Sequence, residues 1–388
     1  MAFFNLNPYK FKKPNQICSR CVMDDTDPTI VFNDNGECSY CNHFDMIKPH
    51  LPSEIKSNEL ELMADQIKSR KAKDSEYDCI IGFSGGLDSS YLLHICVNDM
   101  KLKPLVLHVD AGWNTQHASY NIRCMIDALK LDLHTEVIEW SEMRDMQLSF
   151  LKSGIQHLDI PQDMAFFSSL YKFAIKNNVK SVLTGANYAT EVIREPEAWG
   201  AYPGNDPRLV KNIVKRFSNN KLLTFPMVNS LVSRIVYRIM YGMVIYKPLN
   251  VINYTKKEAE DLLINNYKWK PFKHKHHESF FTRFLESYYL PTKYGIDRRK
   301  AHFSSLILVD QMTRDDALKK LETCALSHIE CKEDFEFLAD KLEISTTELY
   351  SMLCEKPSSV KHFKSYRKLM IFASKAQGFF SQEKRLYK

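Results

Sequence analysis

Short apolar runs recur through the middle of the chain, and each is followed by a stretch with helical spacing of apolar positions. The runs are DCIIGF (78–83), PLVLHVD (104–110), HTEVIEW (134–140) and KSVLTGA (180–186), with VIYKPLN (244–250) as a candidate fifth. Helical patterns follow them to about Asn98, around 115–130, and near 142–152 and 163–177. Apolar strands that alternate with helical crossovers predict an α/β fold whose parallel sheet is covered on both faces. Upstream, 51–75 reads as a helix with a charged face and then a polar linker. Downstream, YTKKEAEDLL opens a helix with Thr255 as N-cap and Glu258 three residues on, the spacing of a capping box. Beyond it the pattern is mostly helical, with turns expected at Pro271, Pro291 and Pro357.

One region breaks this rhythm. Gly204–Tyr246 reads as an insertion, and from Asp206 to Lys247 it carries eight Lys/Arg against one acidic residue. Its apolar part, LLTFPMVNSLVSRIVYRIMYGMVIY (222–246), has Arg234 and Arg238 four residues apart on one helical face. A membrane-spanning helix would have to bury both charges, so an amphipathic helix packed on the protein is expected. A helix that docks on a membrane surface or a partner is the alternative. The first sixteen residues lack the basic-then-apolar order of a secretion signal.

Composition adds little beyond a soluble globular class. With 53 Lys/Arg against 47 Asp/Glu, the net charge of +6 is too mild to demand nucleic acid and suits an anionic small substrate equally well. The ten cysteines are more informative, because four of them fall in the first 41 residues as two C-x-x-C pairs. A secreted disulfide scaffold would be shorter and denser in cysteine, so a reducing cytoplasm is the expected compartment. The pairs Cys18/Cys21 and Cys38/Cys41 flank a predicted hairpin, with TIVF as one arm and Gly36 in the turn NDNGE. Two such knuckles at this separation set four thiolates around a structural Zn2+, in a closed site that organises structure and leaves no position for chemistry.

The stretch after the first apolar run, SGGLDSS (84–90), is the main chemical signal. A strand, a glycine loop and a helix start form an anion cradle: Gly85 and Gly86 let backbone approach a phosphate, and Ser84, Ser89 and Ser90 add hydroxyl donors. Asp88 would repel phosphate unless it binds Mg2+ bridging phosphate oxygens. The loop has no lysine aimed at a transferring γ-phosphate, which suits a leaving pyrophosphate and attack at the α-phosphate.

SGGLDSS resembles the loop of the ATP pyrophosphatase (PP-loop) superfamily, whose members adenylate a carbonyl oxygen and let a nucleophile displace AMP. By that resemblance Val109 approaches the adenine through its backbone, Asp110 and Asn114 lie near ribose or substrate, and Gly185 of LTGANYATE sits beside the nucleotide. The ordered set of the two-knuckle module, SGGLDSSYLL, HVDAGWNT, PQDMAFF, TGANYATE, KHHESFFTRF and LPTKYGIDRRKAHFSSLI resembles the N-acetyl sugar amidotransferase family of bacterial surface-polysaccharide biosynthesis, from about Gln16 to Glu322. That resemblance implies ATP-dependent conversion of an acetamido group on a sugar to an acetamidino group. It implies Asp88 and Ser84 as catalytic, with ATP, Mg2+ and structural Zn2+ as cofactors. Asp163 is a second candidate for the metal, with a helix N-cap as its plain alternative. Asn187, Glu191, Lys293, Arg298 and Arg299 are candidates for substrate or phosphate, with Lys300 beside them and a solvated basic face as the alternative. His274, His276 and His277 read as substrate or phosphate contacts or a helix start more readily than as a metal site.

An ammonia source is missing from the chain: residue 2 is Ala2, not a processed cysteine, and no G-x-C-x-G elbow occurs. The resemblance therefore implies a separate glutaminase similar to that of imidazole-glycerol-phosphate synthase, with or without a cyclase-like subunit, and no nucleic-acid partner. The competing readings are a tRNA thiolation enzyme, for which Cys124 is the stray cysteine, and a non-catalytic nucleotide scaffold. The expected organisation is a zinc-ribbon-like module (1–50), a PP-loop domain (51–203), the basic insertion with the last strand (204–250) and a helical C-terminal region (251–388).

Overall fold

The computed structural model describes residues 14–48, 58–202, 205–220, 222–228 and 233–372, with the side chains of 233–236 left aside. All five apolar runs are strands: β1 (Cys79–Gly82), β2 (Pro104–Asp110), β3 (Leu133–Val137), β4 (Ser181–Leu183) and β5 (Val244–Tyr246). They form one parallel sheet in the order β3-β2-β1-β4-β5. β1 pairs with β2 from Cys79↔Pro104 to Gly82↔Leu107, and with β4 at Ile80↔Val182 and Ile81↔Leu183. Alternate residues of β1 feed different cores. Cys79 and Ile81 join Leu92, Leu93, Met125 and Trp269 on one face, and Ile80 joins Leu105, Leu107, Leu170 and Val182 on the other. Burial on both faces is why the run reads as continuously apolar.

The chain winds outward from β1 to β3 and then returns to β4, so winding reverses between β1 and β4. Ligands of open α/β sheets bind at such a reversal, outside the carboxyl ends of the strands. The helices before β4 are α1 (Ser39–Ile47), α2 (Glu59–Ser69), α3 (Leu87–His94), α4 (Gln116–Leu129), α5 (Trp140–Ser153) and α6 (Ile160–Lys176). α3 runs on through a wide π-type turn at Ile95–Asp99, close to the predicted end at Asn98. After β4 come α7 (Tyr188–Glu191), α8 (Pro207–Phe217), α9 (Lys256–Tyr267), α10 (Phe280–Phe284), α11 (Leu290–Tyr294), α12 (Arg299–Leu308), α13 (Arg314–Leu321), α14 (His328–Lys341) and α15 (Thr346–Cys354).

Two expectations need correcting. Pro291 makes no turn: a π-type stretch, Leu285–Tyr289, joins α10 to α11, and Pro291 sits in the first turn of α11. Wide turns of this kind relax the hydrogen-bond ladder that a proline would otherwise break. At α9 the Thr255 hydroxyl accepts from Glu258 N (3.3 Å) but donates to the Glu258 carboxylate (2.5 Å), so the glutamate takes the threonine side chain. The basic insertion is partly core: α8 buries Leu209, Val210, Ile213 and Val214 in the protein's largest apolar cluster, shared with α5 and α14. Of its second half, Ser233–Met240 is a wide helix and Ile239, Met240 and Tyr241 are exposed. Residues 229–232 and the side chain of Arg234 lie outside the described residues, as do 51–57 of the predicted 51–75 helix. No described helix is long and apolar enough to cross a membrane.

Candidate functional site

The glycine loop leaves β1 at the winding reversal. Gly85 has φ +78°, and a Cβ there would lie 2.8 Å from the Ala118 carbonyl oxygen, so backbone conformation and close packing both demand glycine. The Gly85 carbonyl is held by Trp269 Nε1 (3.0 Å) and Asn121 Nδ2 (3.3 Å). Ser84 Oγ and Ser89 Oγ lie 3.1 Å apart, and Gly86 N donates to Ser84 Oγ. Ser90 Oγ is buried with no hydrogen-bond partner. Asp88, in the first turn of α3, accepts from Tyr254 OH (2.6 Å) and pairs with Lys275 Nζ (3.2 Å). Gly185, just past β4, packs on the Asp88 backbone so closely that a Cβ would lie 3.0 Å from its carbonyl carbon.

The opposite wall is the segment 274–278. It is tied to the end of β2 by Thr115 N to Glu278 O (3.0 Å), Phe280 N to Trp113 O (2.8 Å) and the Asn114↔Ser279 bridge. Glu278 accepts from Ser84 Oγ (3.4 Å), and burial raises its pKa. Lys275 Nζ bonds Glu191 (2.6 Å) and Thr190 Oγ1 (2.9 Å) as well as Asp88. Burial opposes its charge, but the Asp88 and Glu191 carboxylates outweigh that and raise its pKa. The loop thus gains a lysine from 190 positions downstream in the chain. Sequence reading missed Lys275, Glu278 and Tyr254; the first two stand in the HKHHES run, which was weighed only for its histidines.

Two cavities meet at this wall. One, of about 300 Å³, is lined by Ser84, Gly86, Asp88, Ser89, Gly185, Phe166, Trp269 and Glu278. The other, of about 360 Å³, is lined by Asn187, Tyr188, Glu195, Lys247, Glu286, Arg298 and Arg299. Both include Thr190, Glu191, His274, Lys275, His276 and His302. In the second cavity the buried Arg298 pairs with Glu195 (3.0 Å) and Glu286 (3.2 Å), while its second terminal nitrogen has no hydrogen-bond partner. Burial pushes Glu286 up to about 8, against the pull of Arg298 and with the push of Glu195 and Asp159. The neighbouring Asp159 rises to about 6 by burial, again opposed by Arg298.

Of the residues expected at the site, Ser84, Gly86, Asp88, Ser89, Gly185, Asn187, Glu191, Arg298 and Arg299 line these cavities. Asn187 caps α7 by accepting from Thr190 N. Asp110 and Asn114 face each other at the end of β2 (3.1 Å), and neither they nor Val109 lines either cavity. Asp163 lies in the first turn of α6, whose N-cap is Asp159, and stands 3.7 Å from His157. The basic cluster divides. Lys293 bonds the Met352 carbonyl (3.0 Å), Arg299 pairs with Asp297 (2.7 Å), and Lys300 pairs with Asp24 of the cysteine module. Of the four, Arg298 and Arg299 line the second cavity, and Arg298 keeps a buried terminal nitrogen without a hydrogen-bond partner. Cys124, on α4, lines neither cavity.

Cys18, Cys21, Cys38 and Cys41 are buried, with their sulfurs within 4.8 Å of one another. The predicted turn closes the hairpin between the pairs, with Asn33 N to Glu37 O (2.9 Å) and Gly36 at φ +77°. Four converging thiols from two knuckles fit a tetrahedral metal ion. Arg314 bonds the Cys18 and Cys21 carbonyls, and Ser304 Oγ accepts from Val22 N (3.1 Å), so α12 and α13 carry the module.

Residues 278–376 match the family model described as LPS biosynthesis protein WbpG-like, C-terminal domain. No curated protein matches the chain. Among solved structures, similarity is found to the NH3-dependent NAD synthetase from Campylobacter jejuni subsp. jejuni NCTC 11168 in complex with the nitrate ion. The identity is 21%, the match covers 34% of this chain and 57% of that one, and the TM-score is 0.27. A second similarity is to the NMN synthetase from Francisella tularensis, at 13% identity over 60% of this chain and 93% of that one, with a TM-score of 0.24. The chain thus spans little more than half the length of the first of these structures.

Proposed function

We propose that this chain is an ATP-dependent amidotransferase that adenylates the acetamido oxygen of an N-acetylated sugar and replaces that oxygen with nitrogen from ammonia. The observation that carries the reading is the pair of cavities sharing one wall, a glycine-loop cradle on one side and a polar chamber around Arg298 on the other. The match of 278–376 to a domain of LPS biosynthesis points to a sugar as the acceptor.

An amide carbonyl is a poor electrophile with a poor leaving group. Transfer of AMP to its oxygen, with departure of pyrophosphate, makes an O-adenylyl imidate. Ammonia then adds at the carbon and AMP leaves. The balance is amide, ATP and ammonia to amidine, AMP and pyrophosphate. Ser84, Ser89 and the amides of Gly85 and Gly86 hold the pyrophosphate as it departs. Lys275 supplies the cation that the loop lacks. Asp88 and Glu278, both hard oxygen donors lining the cradle, would hold Mg2+, which would supply positive charge against the departing pyrophosphate. The four thiolates hold Zn2+ as a structural ion. Ammonia comes from a separate glutaminase, and free ammonium substitutes for it. The reaction belongs in the cytoplasm, where ATP is supplied.

The test is incubation of the chain with ATP, Mg2+, ammonium and candidate acetamido sugars, nucleotide-linked diacetamido sugars and nonulosonates among them. The expected result is AMP and a sugar lighter by one mass unit. AMP release with tRNA and with no acetamido sugar would replace this reading with thiolation.

A further inference from the structure

The wall between the cavities holds an imidazole with no structural task. His274 Nε2 meets the Ala325 carbonyl (3.1 Å), and His277 Nε2 meets Ser287 Oγ (3.3 Å). His276, between them, has no hydrogen-bond partner among the described residues and lines both cavities. Its backbone is left-handed, with φ +64°. Few L-residues adopt that conformation, and strain of this kind gathers at functional sites. The charged groups that act on it are Lys275, Asp88 and Arg298, with His302 nearby. His276 is exposed to the open cavities. Partial loss of hydration there, with the Lys275 and Arg298 cations reinforcing it and Asp88 opposing, lowers its pKa, so its ring stays neutral.

Resting on the amidotransferase reading, we propose that His276 is the catalytic base of the second half-reaction, taking the proton from the ammonia nitrogen as it adds to the adenylated carbon. The step balances. The nitrogen lone pair forms the new C–N bond, one N–H proton passes to an imidazole nitrogen of His276, and the C–O bond to AMP breaks with its electron pair on the phosphate oxygen. The imidazolium then returns its proton to solvent. Besides His302, which serves as the control below, the titratable groups beside His276 are already engaged. Lys275 is charged and pinned between two carboxylates, Glu191 is paired with it, and Glu278 accepts from Ser84. Ammonia must reach the carbon where the two cavities join, and His276 opens on both.

The test separates the half-reactions. Acceptor-dependent exchange of labelled pyrophosphate into ATP reads adenylation without ammonia. Amidine formation with ammonium reads the addition. Asn tolerates left-handed backbone, so His276→Asn keeps the turn. A general base contributes about 10²–10⁴ in rate, so His276→Asn should lower amidine formation by at least about 100-fold while exchange falls far less. His276→Gly should regain amidine formation with added imidazole. Parental amidine formation by His276→Asn, equal loss of both half-reactions, or the split appearing in His302→Asn instead would overturn the assignment. No acceptor-dependent exchange in the parent protein would bring down the amidotransferase reading, and this one with it.

Discussion

The cysteine module and the cradle at the glycine loop are both places where polar groups converge out of bulk solvent, but they are assembled in opposite ways. The four thiols come from 24 consecutive positions, on two knuckles and one hairpin. The groups around the cradle come from Ser84, Asp88, Gly185, Glu191, Tyr254, Lys275 and Glu278, spread over four separate stretches of the chain. Local geometry sets the first and the winding of the sheet sets the second. A ligand set built locally can be read from spacing. One built by topology is legible only where some member carries a local signature, as the glycine loop does.

Substitutions can break or sharpen this contrast. The largest effect is expected in the module. Structural zinc binding is worth roughly 10 kcal/mol or more in small metal sites. Cys38→Ser should therefore cost at least about 3 kcal/mol of stability and most of the bound metal, read by urea unfolding and metal analysis. Unchanged metal content would show that the spacing misled. Next is Arg298→Met, which leaves Glu195 and Glu286 without their cation. Removing one partner of a buried ion pair costs about 3 kcal/mol, and the urea midpoint should drop accordingly. A neutral outcome would mean that Glu286 had already been protonated. Asp88→Asn should lower AMP formation about 100-fold, or about 2.7 kcal/mol of transition-state stabilisation, with a smaller loss of stability than Arg298→Met. Retained AMP formation would remove Asp88 from the chemistry.

The smallest effect, taken per pH unit, is in pH dependence. Burial pushes the His277 pKa down to about 2. Between the ordinary 6.5 and that value the unfolded chain binds a proton that the folded chain does not. Stability is therefore full above about 6.5 and falls as pH drops, by up to about 1.4 kcal/mol per unit. Glu286, raised to about 8, acts in reverse and removes stability as pH climbs from 4.5 toward 8. His277→Gln should flatten the acid side of a urea-midpoint profile and leave the alkaline side alone.

Much of the fold was legible. All five strands fall within or overlap their apolar runs; the central β1 and β4 do so because a doubly buried parallel strand has little room for polar residues, whereas the edge strand β3 carries His134, Thr135 and Glu136 and is half-exposed. Thr255 caps its helix as spaced, though with an altered partner for Glu258. Pro291 misled because proline signals a break only when the helix keeps its normal pitch. The basic run 293–300 reads as one patch in sequence. In the fold Lys293, Arg299 and Lys300 point to different partners, because helix geometry sends successive residues to different faces.

Sequence alone determined the strands, the four-thiol cluster and the glycine loop, since each rests on side-chain period or on spacing within a few turns. Only the tertiary structure decided which lysine serves the loop, that Arg298 and Arg299 but neither Lys293 nor Lys300 line the second cavity, and that His276 stands where two cavities meet. Those facts depend on contacts across more than a hundred positions. Such contacts are fixed by the order in which strands join a sheet, and no local pattern records that order.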